Sequence, residues 1–534
     1  MQISYKRVAV CYFLVVILLF ICAFRVFSVM NKEDYKQTAE QISSRVINLE
    51  YSRGTIFDCN MNPITNAKEV YNIVIFNKPT AISALYKHFS GSEIEKIISE
   101  LNSNGFAVRK ISREISADGI YCVKAYSHAD DSLLAKHIVG YTDISGKGLC
   151  GLESSFNEIL FCADQNKISF SINGQGSVIS GYKPQVTYNS DIVKSGVKIT
   201  LDKEIQRIAE QEAMKINSGA VVVCEILTGK IKALVSRPDY KLSDLAAALE
   251  NEQEPLLNRT LCNYNIGSVF KPLIAAVGLE NNLEFSQDCK GYTNIDGLNF
   301  TCHNLGGHGV MNLKDAIKYS CNSFFYNFVQ LMEPSEILNM AQKAGINSRV
   351  ILSENLYTAK GSFGSVQNRT PTKRELANLS IGQGELLTSP LAITNLYMAI
   401  AADGYYRMPS LIEGIVEDGV LKEENVLPAR TKLFSKTTAS ALKEYLTAVL
   451  EEDGTGKNAK PTLTTAAGKT GTAQTGVIKN GKKVTNSWFC GFFPLEKPKY
   501  AVTVLSENAQ GGCGDIFAAI ADAVTLYEAK DNGN

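Results

Sequence analysis

A chain of 534 residues has room for two to four domains of roughly 150 residues each. Its 54 Lys and Arg balance 54 Asp and Glu, so the charge gives no footprint for nucleic-acid binding. A hydrophobic fraction of 45% with 20% charged residues describes a folded chain, and without an internal repeat or low-complexity block a solenoid or disordered scaffold is excluded.

In chain order, Val8–Phe24 is the one long apolar run, extending weakly through Val26-Phe27 and preceded by Lys6-Arg7. A membrane span needs about 17–25 such residues, whereas a cleaved signal peptide has a core of about 7–15 and a small-residue cleavage site. The run therefore predicts a single-pass anchor over 8–28. Residues 1–7 are then cytoplasmic, by the basic pair before the span, and nearly everything else is extracellular.

Asn31–Glu50 reads as a helix of mixed charge. Arg53-Gly54-Thr55-Ile56-Phe57-Asp58, with Asn60 and Ile64, suits a hairpin with an Asp-x-Asn turn. Strands are predicted at Val70–Phe76 and Tyr121–Ala125, and helices at Ser92–Asn102 and Asp131–His137. Gly140-Tyr141 and Gly148-Leu149-Cys150-Gly151-Leu152-Glu153 read as glycine-rich turns before a helix. Asp202 caps a helix over Lys203–Ile216. Strands at Gly219–Val223 and Ile231–Ser236 flank a Thr228-Gly229 turn. Later strands fall at Ser487–Phe492 and Tyr500–Leu505, and a last helix near Ile516–Ala529 with no accessory module after it.

Three short motifs carry chemistry. Ser268-Val-Phe-Lys271 places a lysine one helical turn from a serine, within reach of its hydroxyl, and a serine nucleophile needs such a base. Asn265-Ile266-Gly267 before it and Pro272 after it suit a loop entering a helix, which would aim backbone N–H groups at an oxyanion. Alone, Ser-x-x-Lys is equally a solvated helix face. Ser320-Cys321-Asn322 and Lys469-Thr470-Gly471-Thr472 follow it in order. Ser320 and Asn322 are polar positions flanked by Ala316-Ile317 and Phe324-Phe325, which read as a core helix.

Together the three elements resemble the signature of penicillin-binding proteins and class A β-lactamases, with Cys321 in place of the usual Asp. The chain is too long for a β-lactamase. The Arg53–Ile64 segment, with Cys59 and Met61 as departures, and the Gly148–Glu153 run are similar to segments of class B penicillin-binding proteins, as are Ile381-Gly382-Gln383-Gly384 and Gly454-Thr455-Gly456. The resemblance implies a multi-domain α+β chain: a transmembrane helix, an elongated dimerisation-type pedestal over 29–195, and a transpeptidase domain over 196–534 with an antiparallel sheet flanked by helices. It implies that Ser268 attacks a D-Ala-D-Ala stem peptide and that Lys271 takes its proton. Ser320 relays that proton to the leaving group, and Asn322 positions Lys271 and substrate. Lys469 supplies positive potential on an edge strand, Thr470 and Thr472 bind the terminal carboxylate, Gly471 admits the ligand backbone, and the N–H groups of Ser268 and Thr472 form the oxyanion hole. Peptidoglycan stem peptides and β-lactams are the implied ligands. A membrane glycan polymerase of the SEDS type and other cell-wall synthesis proteins are the implied partners; no nucleic acid is. A D,D-carboxypeptidase and a non-catalytic β-lactam-binding scaffold or sensor are the competing readings. The intact reactive positions and the short N-terminal stretch disfavour the latter.

Thirteen cysteines are many for an exported protein unless its surroundings are weakly oxidising. Cys11 and Cys22 fall in the span and Cys224 in an apolar strand, so these are packing residues. Cys289-x12-Cys302-x5-His308-x12-Cys321 is a set of three thiolates and an imidazole, common for structural zinc, and its spacing resembles a site in elongation-type penicillin-binding proteins. A Cys289–Cys302 disulfide with Cys321 in the core is the rival, and His303 could replace His308. No organic cofactor is expected.

Overall fold

The computed structural model describes residues 5–31, 44–143, 145–173, 175, 178–179, 184–188, 191–479, 481–509 and 511–531. The apolar helix runs Tyr5–Met30, with a mean hydropathy of 2.7 over its best window and no buried residue, as a single-pass anchor requires. The helix expected over Asn31–Glu50 lies partly outside the described residues. Its C-terminal part is instead a strand, Ser44–Arg53, whose Ile47 and Leu49 alternate into a core with Val46, Asn48 and Glu50 outward.

The chain divides into two compact units. One holds Met1–Ser52, Val70–Ala125 and Cys162–Ser190. In it Lys68–Phe76 pairs antiparallel with Phe106–Ile111, and Gly91–Asn104 buries Ile94, Ile97 and Leu101 along one face. The Ser90 N–H of that helix donates to Glu93 at 2.9 Å, closing a capping box. A second cluster joins Ile47, Leu49, Val74, Val123 and Ile168 around edge-to-face contacts among Phe76, Tyr121 and Phe170.

The other unit takes in Arg53–Glu69 and Tyr126–Phe161 together with Asp191–Asn534. The expected boundary near 195 follows the chain, whereas contacts carry two earlier segments into the larger unit. Thr55–Phe57 pairs parallel with Gly196–Ile199, and buried Arg53 forms an ion pair with buried Glu153 and donates to the Glu153 carbonyl at 2.8 Å. His128 Nε2 meets the same carboxylate at 2.7 Å. The helix expected over Asp131–His137 shrinks to Lys136–Val139.

The core of this unit is a five-stranded antiparallel sheet. Its strands are Gly219–Glu225 (β1), Ile231–Arg237 (β2), Ala467–Lys479 (β3), Lys482–Phe493 (β4) and Tyr500–Ser506 (β5), in the order β2-β1-β5-β4-β3. Lys203–Ala213 (α1) begins at Asp202, whose carboxylate accepts from the N–H groups of Glu204 and Ile205. Further helices are Lys271–Glu280 (α2), Leu313–Lys318 (α3), Asn322–Phe328 (α4), Pro390–Ala401 (α5) and Cys513–Asp531 (α6). All twelve residues of α5 are buried, as a helix apolar on every side requires. Thr394 of α5 meets Thr503 of β5 at 2.8 Å, while Phe489 of β4 packs on Phe517 of α6 with ring centroids 4.6 Å apart. Cys490 is the cross-strand partner of Thr503, so α5 and α6 cover opposite faces of the sheet. β3 is left as an open edge.

Candidate active site

Ser268 lies in a single 3-10 turn, Gly267–Phe270, that runs directly into α2 with Pro272 in its first turn. Val269 and Phe270 are fully buried, which pins the turn and leaves Ser268 half-buried at the cleft. Gly267 has φ +63°, and a Cβ there would stand 2.6 Å from the Thr472 carbonyl oxygen. Only glycine lets the turn close on β3 this tightly. Two hydroxyl and indole donors fix it from behind: Tyr397 Oη donates to the Val269 carbonyl at 2.9 Å, and Trp488 Nε1 to the Asn265 carbonyl at 3.1 Å.

Lys271 is fully buried one turn on. Its Nζ donates to the Ser320 carbonyl at 2.6 Å and to Asn322 Oδ1 at 2.7 Å, with Ser320 Oγ at 3.2 Å. The expected continuous helix through Ser320–Asn322 is in fact two helices meeting at a corner. Ser320 has φ +55°. The Cys321 N–H reaches back to the Ala316 carbonyl at 2.9 Å and the Ser320 N–H to Ile317 at 3.2 Å, which is a Schellman ending for α3. Serine occupies the left-handed position where glycine is usual, and so brings a hydroxyl to Lys271. Burial lowers the Lys271 ammonium to about 7, against an opposing electrostatic contribution from Cys321 and Cys302.

On β3, Lys469 is fully buried, and its ammonium sits well below its ordinary range through burial and then the charge of Lys271. Thr470 Oγ1 donates to Thr455 Oγ1 at 3.2 Å, tying β3 to the Gly454–Gly456 segment. Thr472 pairs with Ser487 across the sheet. Gly471 is also needed for packing. A Cβ there would meet Val269 Cγ1 at 2.9 Å, the Ile266 carbonyl at 3.0 Å and Trp488 Cβ at 3.2 Å, so glycine admits the turn that carries Ser268. The cleft has a volume of about 1040 Å³ and is lined by Ser268, Ser320, Asn322, Thr470, Gly471 and Thr472 among others. Lys271 and Lys469 stand behind that lining. All eight sequence-derived reactive positions thus converge. Tyr397 was missed because, within an apolar helix, nothing but its buried hydroxyl marks it.

Cys289, Cys302, His308 and Cys321 also converge, their ligand atoms all within 4.8 Å of one another, close enough for one metal ion. His308 Nδ1 lies 3.6 Å from Cys289 Sγ and 3.7 Å from Cys302 Sγ, and the Cys302 and Cys321 sulfurs are 4.0 Å apart. A proton shared with Cys321 pushes Cys302 down and Cys321 up from the usual thiol range. Cys289 and Cys302 carry separate thiols, so the alternative Cys289–Cys302 bridge is not formed. His303 lines the cleft instead, with Nδ1 3.8 Å from Cys302 Sγ. Cys321 Sγ accepts from the Phe324 N–H at 3.5 Å, capping α4, so the cluster shares the corner that carries Ser320 and Asn322.

The Penicillin binding protein transpeptidase domain family matches residues 219–525. The chain is 25% identical to Stage V sporulation protein D of Bacillus subtilis over 471 residues, covering 84% of this chain and 70% of that protein. It is likewise 25% identical over 439 residues to peptidoglycan D,D-transpeptidase MrdA of Acinetobacter baumannii, covering 72% of this chain and 63% of that protein. Among solved structures, penicillin-binding protein 3 of Mycobacterium tuberculosis complexed with ampicillin shares the fold with a TM-score of 0.65 at 22% identity, over 91% of this chain and 96% of that one. A serine and lysine at an open sheet edge, in that order and that fold, place the chain in the penicillin-binding protein transpeptidase family, in its class B branch.

Proposed function

We propose that this protein is a membrane-anchored serine D,D-transpeptidase that cross-links peptidoglycan stem peptides through an acyl-enzyme and is acylated by β-lactams. The observation that carries the reading is a buried lysine, held near neutrality, whose nitrogen is fixed by Ser320 and Asn322 one turn from Ser268. Two carbonyl acceptors use two N–H groups of neutral Lys271, leaving the lone pair for the Ser268 proton. Ser268 Oγ bonds to the carbonyl carbon of the penultimate D-alanine, and the oxyanion is received by the N–H groups of Ser268 and Thr472. The C–N bond then breaks as Ser320 passes the proton to the departing D-alanine amine. An acceptor amine attacks the resulting ester, loses one proton and restores the Ser268 hydroxyl. One amide replaces another, with no redox change. Thr470 and Thr472 receive the terminal carboxylate, and its arrival restores the ammonium charge of Lys469 that burial suppresses.

The Tyr5–Met30 helix anchors the chain by a single pass, and the chain beyond it stands outside the membrane on the side opposite Lys6-Arg7. The unit containing Val70–Ala125 acts as the pedestal, through which a SEDS-type glycan polymerase would supply nascent strands. Cys289, Cys302, His308 and Cys321 hold a structural zinc. A tetrahedron with Zn–S of about 2.3 Å and Zn–N of about 2.0–2.1 Å spaces its ligand atoms about 3.5–3.8 Å apart, close to the His308–Cys289, His308–Cys302 and Cys302–Cys321 separations. The bound ion would brace the α3–α4 corner and take no part in acyl transfer.

Full-length protein in detergent is expected to label covalently with fluorescent penicillin, and Ser268→Ala to lose the label; an unlabelled wild type would refute the assignment. Products formed with a D-amino acid acceptor then separate transpeptidation from hydrolysis. Elemental analysis should return one zinc per chain, lost in Cys302→Ser; metal-free wild type would exclude the site.

A further inference from the structure

A second cavity, of about 370 Å³, lies on the sheet edge opposite β3. Residues Leu133–His137, α1 and the end of β2 wall it, and its volume falls within the range of about 300–1000 Å³ typical of small-ligand sites. Leu133, Met214, Leu234 and Val235 make its apolar wall.

Its charged groups are not equally occupied. Lys136, 6% exposed, donates to Asp239 at 2.7 Å and to the Tyr240 carbonyl at 2.9 Å. Glu210 Oε1 accepts from the Ala135 N–H at 2.7 Å and from Gln206 Nε2 at 2.9 Å, and burial raises its carboxyl above the usual range. His137 Nε2 meets the Pro255 carbonyl at 2.7 Å, and exposed Arg207 donates to Glu204. The Arg237 side chain alone has no hydrogen bond or ion pair among the described residues, and its Nε is buried. A buried donor without a partner costs about 1–3 kcal/mol, more when charged, so it calls for an acceptor.

The cavity is not a slot for an added strand. The Gln206 side chain already pairs with the outer edge of β2, donating to the Leu234 carbonyl at 2.9 Å and accepting from its N–H at 2.8 Å. Ser236 Oγ is likewise engaged, donating to the Leu257 carbonyl and accepting from the Arg259 N–H. What remains is an apolar pocket with one unpaired guanidinium, the chemistry that takes a carboxylate on two parallel N–H donors.

We propose that this cavity is a second ligand site, binding a small carboxylate whose anion pairs with Arg237 and whose apolar body lies against Leu133, Met214, Leu234 and Val235. The site is distinct from the acylation cleft, and no residue lines both. The carboxylate could come from a free small acid or from the C-terminus of a peptide with an apolar last residue.

Full-length protein in detergent can be titrated by calorimetry with 4-phenylbutyrate and its amide, and with acetyl-Ala-Ala-Leu as free acid and amide. Either acid should bind saturably, its amide about tenfold more weakly, and Arg237→Gln should lose the preference. The acid that binds identifies the source. Binding should persist in Ser268→Ala, separating this site from the cleft, and Arg237→Gln should keep wild-type penicillin labelling, which controls for folding. No saturable binding by either acid, equal binding of acid and amide, or an unchanged Arg237→Gln would each overturn the proposal.

Discussion

Lys271 carries the conflict on which the proposed chemistry rests: an ammonium buried completely, beside another buried lysine. Burial favours the free amine, which is the form able to take the Ser268 proton. With an ammonium lowered to about 7, the amine predominates above that pH and is protonated below it. The second-order rate of acylation by a β-lactam should therefore be level above pH 7 and fall about tenfold per unit below it. A stopped-flow pH profile checks this, and a rate flat down to pH 5 would assign the base elsewhere. The motif showed which lysine was poised. Its depressed ammonium could not be read there, because desolvation depends on Phe325 and the α3–α4 corner closing over it.

Among elements, the α3–α4 corner is the most consequential. Its two helices end and begin on Ser320 and Cys321, which supply a left-handed residue, a hydroxyl, a helix cap and one thiol of the Cys/His cluster. Ser320→Gly suits the backbone better than serine, while Ser320→Ala keeps the strain of about 1–2 kcal/mol. Ser320→Gly should match or exceed the wild-type melting temperature, and both variants should turn over the acyl-enzyme slowly. Recovery of wild-type turnover in either would remove the proton relay from Ser320. Gly471 illustrates the complementary point. Gly471→Ala places a Cβ against Val269 and the Ile266 carbonyl, so the nucleophile turn must retreat from β3. The expected outcome is at least tenfold slower acylation with the sheet intact, read by penicillin labelling against circular dichroism.

At the scale of the whole molecule, the larger unit is assembled from three separate stretches of chain. Arg53 and Glu153, a hundred residues apart, meet in the buried ion pair that helps join them. Removing one partner of such a pair leaves a buried charge and costs about 3–5 kcal/mol. Arg53→Met should therefore lower the unfolding midpoint markedly, and Arg53→Met with Glu153→Gln should recover much of it. Equal midpoints for the single variant and wild type would mean water reaches Glu153.

Adjacent residues encode the parts of this protein that repeat a local pattern. These are the apolar helix, the amphipathic α1 with its Asp202 cap, the β-branched runs of β1 and β2, and the order of Ser268, Ser320 and Lys469. Local periodicity and capping chemistry act within a turn or two, so they are written in adjacent residues. The tertiary structure alone decided that Ser44–Arg53 is a strand and that Ser320 turns a corner. It also decided that Gly471 serves packing, that Tyr397 secures the nucleophile turn, and that Arg53 belongs with Glu153. Each of these depends on what lies across the sheet or beneath a helix. That neighbour is a distant residue, and no local pattern names it.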